Sequence, residues 1–549
     1  MLDENNKKVI LRTIVAAVAV FLLVYILIDR PAGPKTLDEI VGEIDVKQPP
    51  HGTDTPKLLP PNTTLPDISN YPLKVEKSTS SYIEIFSSPE KAGSGTNGWL
   101  TAVARDFNDA AIAIDGKKVS VSLREISSGD GADYIASSKY LPDAYTPSNE
   151  LWGELIVSRG AKAELVQKRL VGNVAGILLT KSKKDELQAK YGAINTATII
   201  SAVANGELTM GYTNPFASST GLNFLISALS TFDSSNLLSN KAKSEFMSFQ
   251  TNIPVVAYTT LQLLDFAKSG YLDGFVLEYQ TYVNAPDLKS YEFIPFGLRH
   301  DNPIYAIGDL SSEKSKILDK FIEFSQQGKY QTLAARYGFN GLNDYKPEIK
   351  PVSGGVIVQA QKLWKESGNP ICAVFVADVS GSMMGEPLNE LKRSLLDGQY
   401  YIGSDNMVGL VSYSNDVNID LPISEFDLTQ RSKFRGAVKE LRAGGNTATF
   451  DAIAVAMKML VDQKAAGPDS NPNLVPVIFV LSDGKSNLGH SLEEITPIIK
   501  ELGITINTIG YNADIPALEE ISRINEGVNI NADTKNVTHE LANLFNYAM

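Results

Sequence analysis

The spacing of hydrophobic and polar positions changes along this chain, and the changes divide it. From Thr13 to Ile28 the sequence TIVAAVAVFLLVYILI carries no charge. Val9 to Leu11 extend the apolar run to about 20 residues if Arg12 snorkels to a headgroup, a length that crosses a bilayer. Between Pro31 and Pro72 no 3.6 or 2.0 period is sustained, and nine of the 27 prolines fall there. This predicts an extended stalk over 29–79, with at most a turn of helix in DEIVGEIDV. A βα rhythm then begins. Tyr82 to Phe86 alternates like a strand, and Trp99, Leu100, Val103, Ala104 and Phe107 mark one helical face. VSVSLREIS (119–127), DAYTPS (143–148), a helix from near Asn149 and VAGILLT (174–180) continue it.

In the last third, the runs Ile371 to Asp378 and Val475 to Asp483 are almost continuously apolar and end in an acid, as buried parallel strands do. MVGLVSYS from Met407 and ITINTIGYN from Ile504 are two further strands. A helix opens with the capping box Ser491-Leu492-Glu493-Glu494 and buries Ile495, Ile498, Ile499 and Leu502. GVIVQAQKLWKE (355–366) predicts a helix within a connector over 346–368. Strands alternating with helices imply an α/β protein with mostly parallel sheets, whose ligands sit beyond the carboxyl ends of the strands.

Composition narrows the function classes. At about 100–200 residues per domain, 549 residues make roughly three folded units. A 21% charged fraction excludes wholesale disorder. The one cysteine, Cys372, allows no internal disulfide and reads as a core filler, and with four histidines it supplies no zinc cluster. Any metal must therefore use oxygen ligands. The charge of −13, spread along the chain, argues against a nucleic-acid surface. Lys7, Lys8 and Arg12 precede the apolar run while Asp29, Arg30 and Lys35 follow it. That bias favours a cytoplasmic N-terminus over 1–8, a signal anchor over 9–28, and folded domains outside a membrane crossed once. A cleaved signal peptide competes, although Asp29-Arg30-Pro31 is not a small-residue cleavage site and no cysteine is placed for lipidation.

The loops after the early strands are rich in neutral hydrogen-bonding groups: Ser87-Ser88, Ser127-Ser128-Gly129, Thr146-Pro147-Ser148, and Thr213-Asn214-Pro215 with Ser218, Ser219 and Thr220. The last precedes an apolar helical face, so its hydroxyls and free N–H groups suit an anion or polar oxygen, and equally suit plain N-capping. The segments IEIFSSPEK, GDGADYIASSKYLPDAYTPS, GYTNPFASSTGLNFLISAL, GFVLEYQTYVN and the closing NPIYAIGDLSSEKSKILDKFIEFSQQGKYQTLAARYGF resemble the bilobed type II periplasmic-binding-protein-like domains of ABC transporters. The resemblance covers 80–345. It implies one lobe over 80–170 plus 290–345, a second over 171–289, and a cleft that closes by hinge motion. Carried over by position, Ser87, Ser88, Ser148, Thr213, Asn214, Ser218 and Tyr279 would face a small solute or peptide.

After the strand at Ile371, Asp378-Val379-Ser380-Gly381-Ser382 sets a carboxylate and hydroxyls at alternate positions around a glycine turn. Such oxygens suit a hard cation, and they also suit an ordinary strand-to-helix turn. DVSGSM (378–383), GGNTATFDA (444–452) and LSDG (481–484) resemble, in order and spacing, a von Willebrand factor A domain with a metal-ion-dependent adhesion site, over 369–549. The resemblance implies Mg²⁺, with Mn²⁺ or Ca²⁺ as alternatives, ligated by the hydroxyls of Ser380, Ser382 and Thr447, with Asp378 and Asp483 acting through waters. Thr449 is the alternative to Thr447, which Asp451 four positions on favours. It also implies a protein partner whose Asp or Glu completes the octahedron. The domain carries about ten more acids than bases, which opposes such a partner at long range. Ser412, Tyr413 and Ser414 fit either the site rim or ordinary packing.

No Ser-His-Asp order, phosphate loop or zinc motif points to an enzyme, and His51, His300, His490 and His539 read as solvated or capping residues. The expectation is a bacterial, membrane-anchored receptor that binds a solute in its cleft and a protein through the metal site, with the connector helix coupling the two. The alternatives are an ABC-transporter solute-binding component tethered by its A domain, or an assembly factor acting through that domain.

Overall fold

The computed structural model describes residues 35–54, 65, 67–257, 260, 263, 272–368, 370–399, 402, 406–465, 474–511, 516–525, 527 and 529–532. The expected N-terminus 1–8 and membrane span 9–28 lie outside the described residues. Among those described, no helix is long and apolar enough to cross a membrane.

The first described segment departs from the extended stalk expected over 29–79. The Thr36 hydroxyl accepts from the Glu39 N–H, and the Glu39 carboxylate accepts from the Thr36 N–H at 2.7 Å, a reciprocal box that starts the helix Leu37–Glu43. Seven residues do not hold a helix in water, so packing must supply its stability. Ile40 is fully buried in a core shared with Ile453, Met457 and Leu460. β1 (Val46–Lys47) pairs in parallel with residues 417–418 at the edge of the C-terminal sheet. His51 bridges Asp420 and Glu440, each at 2.9 Å, and Asp54 meets Arg435 and Lys439 at 2.8 and 3.0 Å. Residues 35–54 are thus a strap on the C-terminal domain. No periodicity announces it, because both elements are shorter than any window that would detect them and the strap's partners lie as far as 447 residues downstream. The stretch nearer residue 80 is also docked: β2 (Leu73–Val75) lies on the first lobe, and Arg124 donates to the Ile68 carbonyl at 3.1 Å.

In the first lobe, β2 is followed by β3 (Ser81–Ser87), β4 (Ala113–Ile114), β5 (Lys117–Glu125), β6 (Ala144–Thr146) and β7 (Ala163–Gln167). The chain crosses to the second lobe and forms β8 (Asn173–Thr180), β9 (Met210–Thr213), β10 (Val255–Ala257), β11 (Gly274–Glu278) and β12 (Tyr291–His300), then returns through β13 (Ile304–Ile307). The sheet orders are β2-β5-β3-β6-β13-β7 and β10-β9-β11-β8-β12. Both sheets are mixed rather than mostly parallel: β13 runs against β6 and β7, and β8 runs against β11 and β12. The return to the first lobe falls after His300, not at residue 290, because YEFIPFGLRH pairs along β8 from Tyr291↔Thr180 to His300↔Asn173.

The connector over 346–368 is part of this two-lobed unit. Its helix, Gly354–Glu366, sends Ile357, Ala360, Leu363 and Trp364 into the core that holds Trp152 and Leu155 of the first lobe and Tyr212 and Phe224 of the second. Trp364 Nε1–H donates to the Tyr212 hydroxyl at 2.5 Å, and Gln361 donates to the Pro215 carbonyl at 2.9 Å. On the other side, a Cβ at Gly354 would stand 2.0 Å from the Glu154 carbonyl oxygen, so only glycine allows that approach. The helix is a brace across both lobes.

The C-terminal α/β unit holds β14 (Ile371–Asp378), β15 (Met407–Tyr413), β16 (Val417–Glu425), β17 (Val475–Ser482), β18 (Thr505–Tyr511) and β19 (Asn529–Ala532). Their order, β1-β16-β15-β14-β17-β18-β19, is parallel throughout except where β16 runs against β15. Separate apolar cores form on its two faces, as the continuous runs of β14 and β17 require. Cys372 is buried, and burial pushes its thiol up to about 12.

Candidate functional sites

Adjacent central strands β14 and β17 end side by side, which puts Asp378 and Asp483 at one edge. Asp378 is fully buried. One carboxylate oxygen accepts from the Ser380 N–H at 2.8 Å, and the other accepts from the Ser482 hydroxyl at 2.6 Å and the Tyr413 hydroxyl at 3.3 Å. The Ser380 and Ser382 hydroxyls are 3.1 Å apart, and Ser382 donates to Asp483 at 2.7 Å. The third loop joins by its backbone: Gly381 N–H donates to the Gly445 carbonyl at 3.0 Å. Gly445 has φ +87°, and a Cβ there would press on the Asn415 side chain at 3.0 Å. Thr447 donates its N–H to Asn487 at 2.9 Å, and its carbonyl accepts from the Asn487 N–H and the Ser486 hydroxyl at 3.0 Å each. Its hydroxyl takes no part in those bonds.

The structure therefore brings the loops of Asp378, Ser380, Ser382, Thr447 and Asp483 together. Thr449 instead donates to the Tyr413 hydroxyl at 3.3 Å, and Tyr413 emerges as a buttress of Asp378. Burial pushes the Asp378 carboxyl up and nearby Asp483 adds to the shift, against the bonds from Ser482 and Ser380. Among the described residues, the partners hydrogen-bonded to its carboxylate are a backbone N–H and hydroxyls, none of them basic. Two carboxylates with hydroxyls form a donor set that fits a hard divalent ion. Asp451, expected to support Thr447, accepts from the His490 backbone N–H at 2.8 Å and pairs with its ring Nδ1 at 2.7 Å.

The second site lies between the lobes, where a cavity of about 110 Å³ is lined by Ser88, Glu90, Ser148, Ser218, Thr220 and Glu278 among others. Ser88, Ser148 and Ser218 of the expected residues line it. Ser218 also caps the helix Ser219–Phe232 by accepting from the Gly221 N–H, so the capping reading holds as well. Ser87 and Thr213 are fully buried behind the lining, where Thr213 donates to Ser218 at 2.8 Å. Asn214 is spent on its own turn, accepting from the Phe216 N–H at 2.7 Å. Tyr279 does not face the cleft: its ring packs edge-on against Phe293 and lies over Gly341, because β11 ends at Glu278 and the following turn faces the closing segment of the first lobe.

The lobes touch directly. Ser219 donates to the Ser128 hydroxyl at 3.0 Å, Trp152 donates to the Ser219 hydroxyl at 2.8 Å, and the Gly129 N–H donates to the Ala217 carbonyl at 3.1 Å. A Cβ on Gly129 would lie 1.9 Å from the Phe216 carbonyl oxygen.

Sequence reasoning missed the charged members of the cleft. Lys91 is fully buried, and its ammonium donates to Ser88 at 2.5 Å and to the Thr146 carbonyl at 2.8 Å. Burial pushes its pKa down against the pull of Glu90 and Glu278. Burial also acts on Glu90, but Lys91 and the Ser148 and Ser88 hydroxyls outweigh it and hold the carboxyl below its ordinary range. Ser88-Pro89-Glu90 at the end of a strand was the available signal, a proline and an acid opening a helix. His300, expected to be solvated or capping, is fully buried and joins Glu278 at 2.9 Å and the amides of Asn149 and Asn223 at 3.2 Å each. His51 and His490 likewise bridge carboxylates that sequence spacing does not reveal, and His539 lies outside the described residues.

Residues 373–544 match the von Willebrand factor type A domain family. Bovine inter-alpha-trypsin inhibitor heavy chain H3 is 31% identical over 130 residues, 23% of this chain and 14% of that protein. The chain spans well under half the length of the curated relatives it matches, 14% and 36%. The two-lobed unit is similar in structure to periplasmic binding proteins. Iron-bound HitA from Pseudomonas aeruginosa matches at 13% identity and TM-score 0.38, covering 52% of this chain and 99% of that one. The sulfate-binding protein SubI from Mycobacterium tuberculosis matches at 14% identity and TM-score 0.34, covering 48% and 88%. The chain thus carries an A-type domain behind a two-lobed α/β unit.

Proposed function

We propose that this protein is a non-enzymatic, membrane-anchored extracytoplasmic receptor that takes a small solute in its cleft and a protein partner at the metal site of its A-type domain. The observation that carries the reading is the joining of three separated loops around buried Asp378, whose described hydrogen-bond partners are all neutral, with Asp483 beside it. Ser380, Ser382 and Thr447 would hold Mg²⁺ (Mn²⁺ or Ca²⁺ in its place) by their hydroxyls, with Asp378 and Asp483 acting through waters. The ion would supply an open position for an Asp or Glu of the partner.

Local charge suits such a partner better than the domain total. Asn415, Asn446 and Asn487 are exposed on the joined loops, and Lys485 adds a positive charge beside Asp483. The cavity of about 110 Å³ is well below the roughly 300–1,000 Å³ of pockets for drug-sized ligands, which favours a solute of few atoms over a peptide. The brace helix supports coupling, since it touches both lobes and leads within five residues to Ile371, the start of the strand that ends at Asp378.

Crosslinking in intact cells tests the reading. The full chain should capture a protein with Mg²⁺ present and lose it with a chelator or with Ser382→Ala. An unchanged partner set under all three conditions would refute it. Loss of solute uptake on deletion of the protein, with no Mg²⁺-dependent partner, would assign it to transport instead.

A further inference from the structure

The strap over residues 35–54 does more than cover a sheet edge. Its helix Leu37–Glu43 packs along the helix Thr449–Ala465, where Asp38 pairs with Lys458 at 3.0 Å, and the first turn of that longer helix follows Thr447 directly. At the strap helix's end, a Glu43 carboxylate oxygen lies 3.2 Å from His490 Nε2. The other ring nitrogen, Nδ1, lies 2.7 Å from Asp451, which also accepts the His490 backbone N–H at 2.8 Å. Each ring nitrogen faces a carboxyl oxygen, and with both acids ionised the two bonds form together when the ring is an imidazolium, whose nitrogens both donate. His490 closes the 484–490 loop. That loop starts beside Asp483, and through Ser486 and Asn487 it holds the backbone of Thr447.

We propose that the strap sets the geometry of the metal site, with His490 as a positioning residue that ties Glu43 to the loop carrying Asp483 and clasping Thr447. This inference rests on the metal-site reading above and adds an intramolecular control: a docked strap holds the threonine and aspartate sides of the site at the separation the cation needs, and a released strap relaxes it. The strap's far end offers an internal control. Asp54 pairs with Arg435 and Lys439, and Gly52 lies against Gly436, on a helix the metal loops do not contain.

The test is binding of Mn²⁺ to the full chain in detergent, followed by the electron paramagnetic resonance signal of the free ion. Glu43→Ala and His490→Ala should each weaken Mn²⁺ by about fivefold or more, the size of an ordinary coupling between sites. Glu43→Gln, which keeps an acceptor for Nε2–H, should fall between wild type and Glu43→Ala. Asp54→Asn, which loosens the strap away from the site, should stay within about twofold of wild type. Equal affinity in wild type and Glu43→Ala overturns the proposal, as does an equal loss in Asp54→Asn, which would make the strap a general stabiliser. The metal site itself is judged separately: if wild type and Asp378→Ala bind Mn²⁺ alike, the metal reading falls and this inference with it.

Discussion

Asp378 shows most sharply what one residue contributes and costs. A carboxylate sealed in the protein is expensive unless its lone pairs are satisfied and its charge is balanced. Ser380, Ser482 and Tyr413 supply the hydrogen bonds, but these described partners are neutral and do not balance the charge, and Asp483 adds to it. Asp378→Asn should therefore leave the metal-free protein at least as stable as wild type while removing the rise in melting temperature that millimolar Mg²⁺ gives the wild type by mass action. A metal-free variant melting well below wild type would contradict this account of the charge. The D-x-S-G-S spacing was legible because all its members lie within five residues. Tyr413 was not separable from packing, since its role depends on strand pairing that aligns it with Asp378. Gly129 makes a second prediction at this scale. Its missing Cβ lets the lobes meet, so Gly129→Ala, with a methyl 1.9 Å from the Phe216 carbonyl, must force them apart. Overpacking of this kind typically costs about 1–3 kcal/mol, which calorimetry of the two-lobed unit should register, with the A-type domain's transition unmoved.

At the scale of elements, long periodic segments were readable and short docked ones were not. β14 and β17 announced themselves as eight-residue apolar runs, and Ser491 with Glu494 marked the start of the helix Leu492–Leu502. β1 has two residues and the strap helix seven, and both owe their structure to a surface supplied from far downstream. A proline-rich context concealed them because composition reports average behaviour, whereas Ile40 acts as a single anchor. Docking of the strap should depend on pH through His490. Burial lowers the imidazole's pKa, but its bonds to Asp451 and Glu43 outweigh that and leave it raised. A raised histidine contributes stability that is complete below its unfolded value, near 6.5, and is lost as pH rises through the folded value. Cleavage within 35–54 by an added protease should accelerate above that point, and His490→Gln should flatten the profile. Equal cleavage rates on both sides of the transition, at matched protease activity, would remove His490 from the clasp.

For the whole molecule, the order of residues along the chain does not give the order of cooperative units. The strap precedes the two-lobed unit in sequence yet shares a core with the A-type domain, while the brace helix, which looks like a linker to that domain, is built into the two lobes. If burial defines what unfolds together, heat should melt two units: one of lobes plus brace, the other of A-type domain plus strap. Ile40 and Trp364 distinguish them, since each is buried in only one core. Truncating a buried Ile typically costs about 2–5 kcal/mol and a Trp about 3–5 kcal/mol, enough to shift a transition by several degrees. Ile40→Ala should therefore lower only the transition that Mg²⁺ raises, and Trp364→Ala only the other. The same reasoning makes residues 369–549 alone less stable than the same residues mixed with a peptide of residues 35–54, because removing the strap exposes the surface that Ile40 covers and opens the β16 edge. Had the segment been the free stalk its prolines suggest, Ile40→Ala would move neither transition and the peptide would not bind.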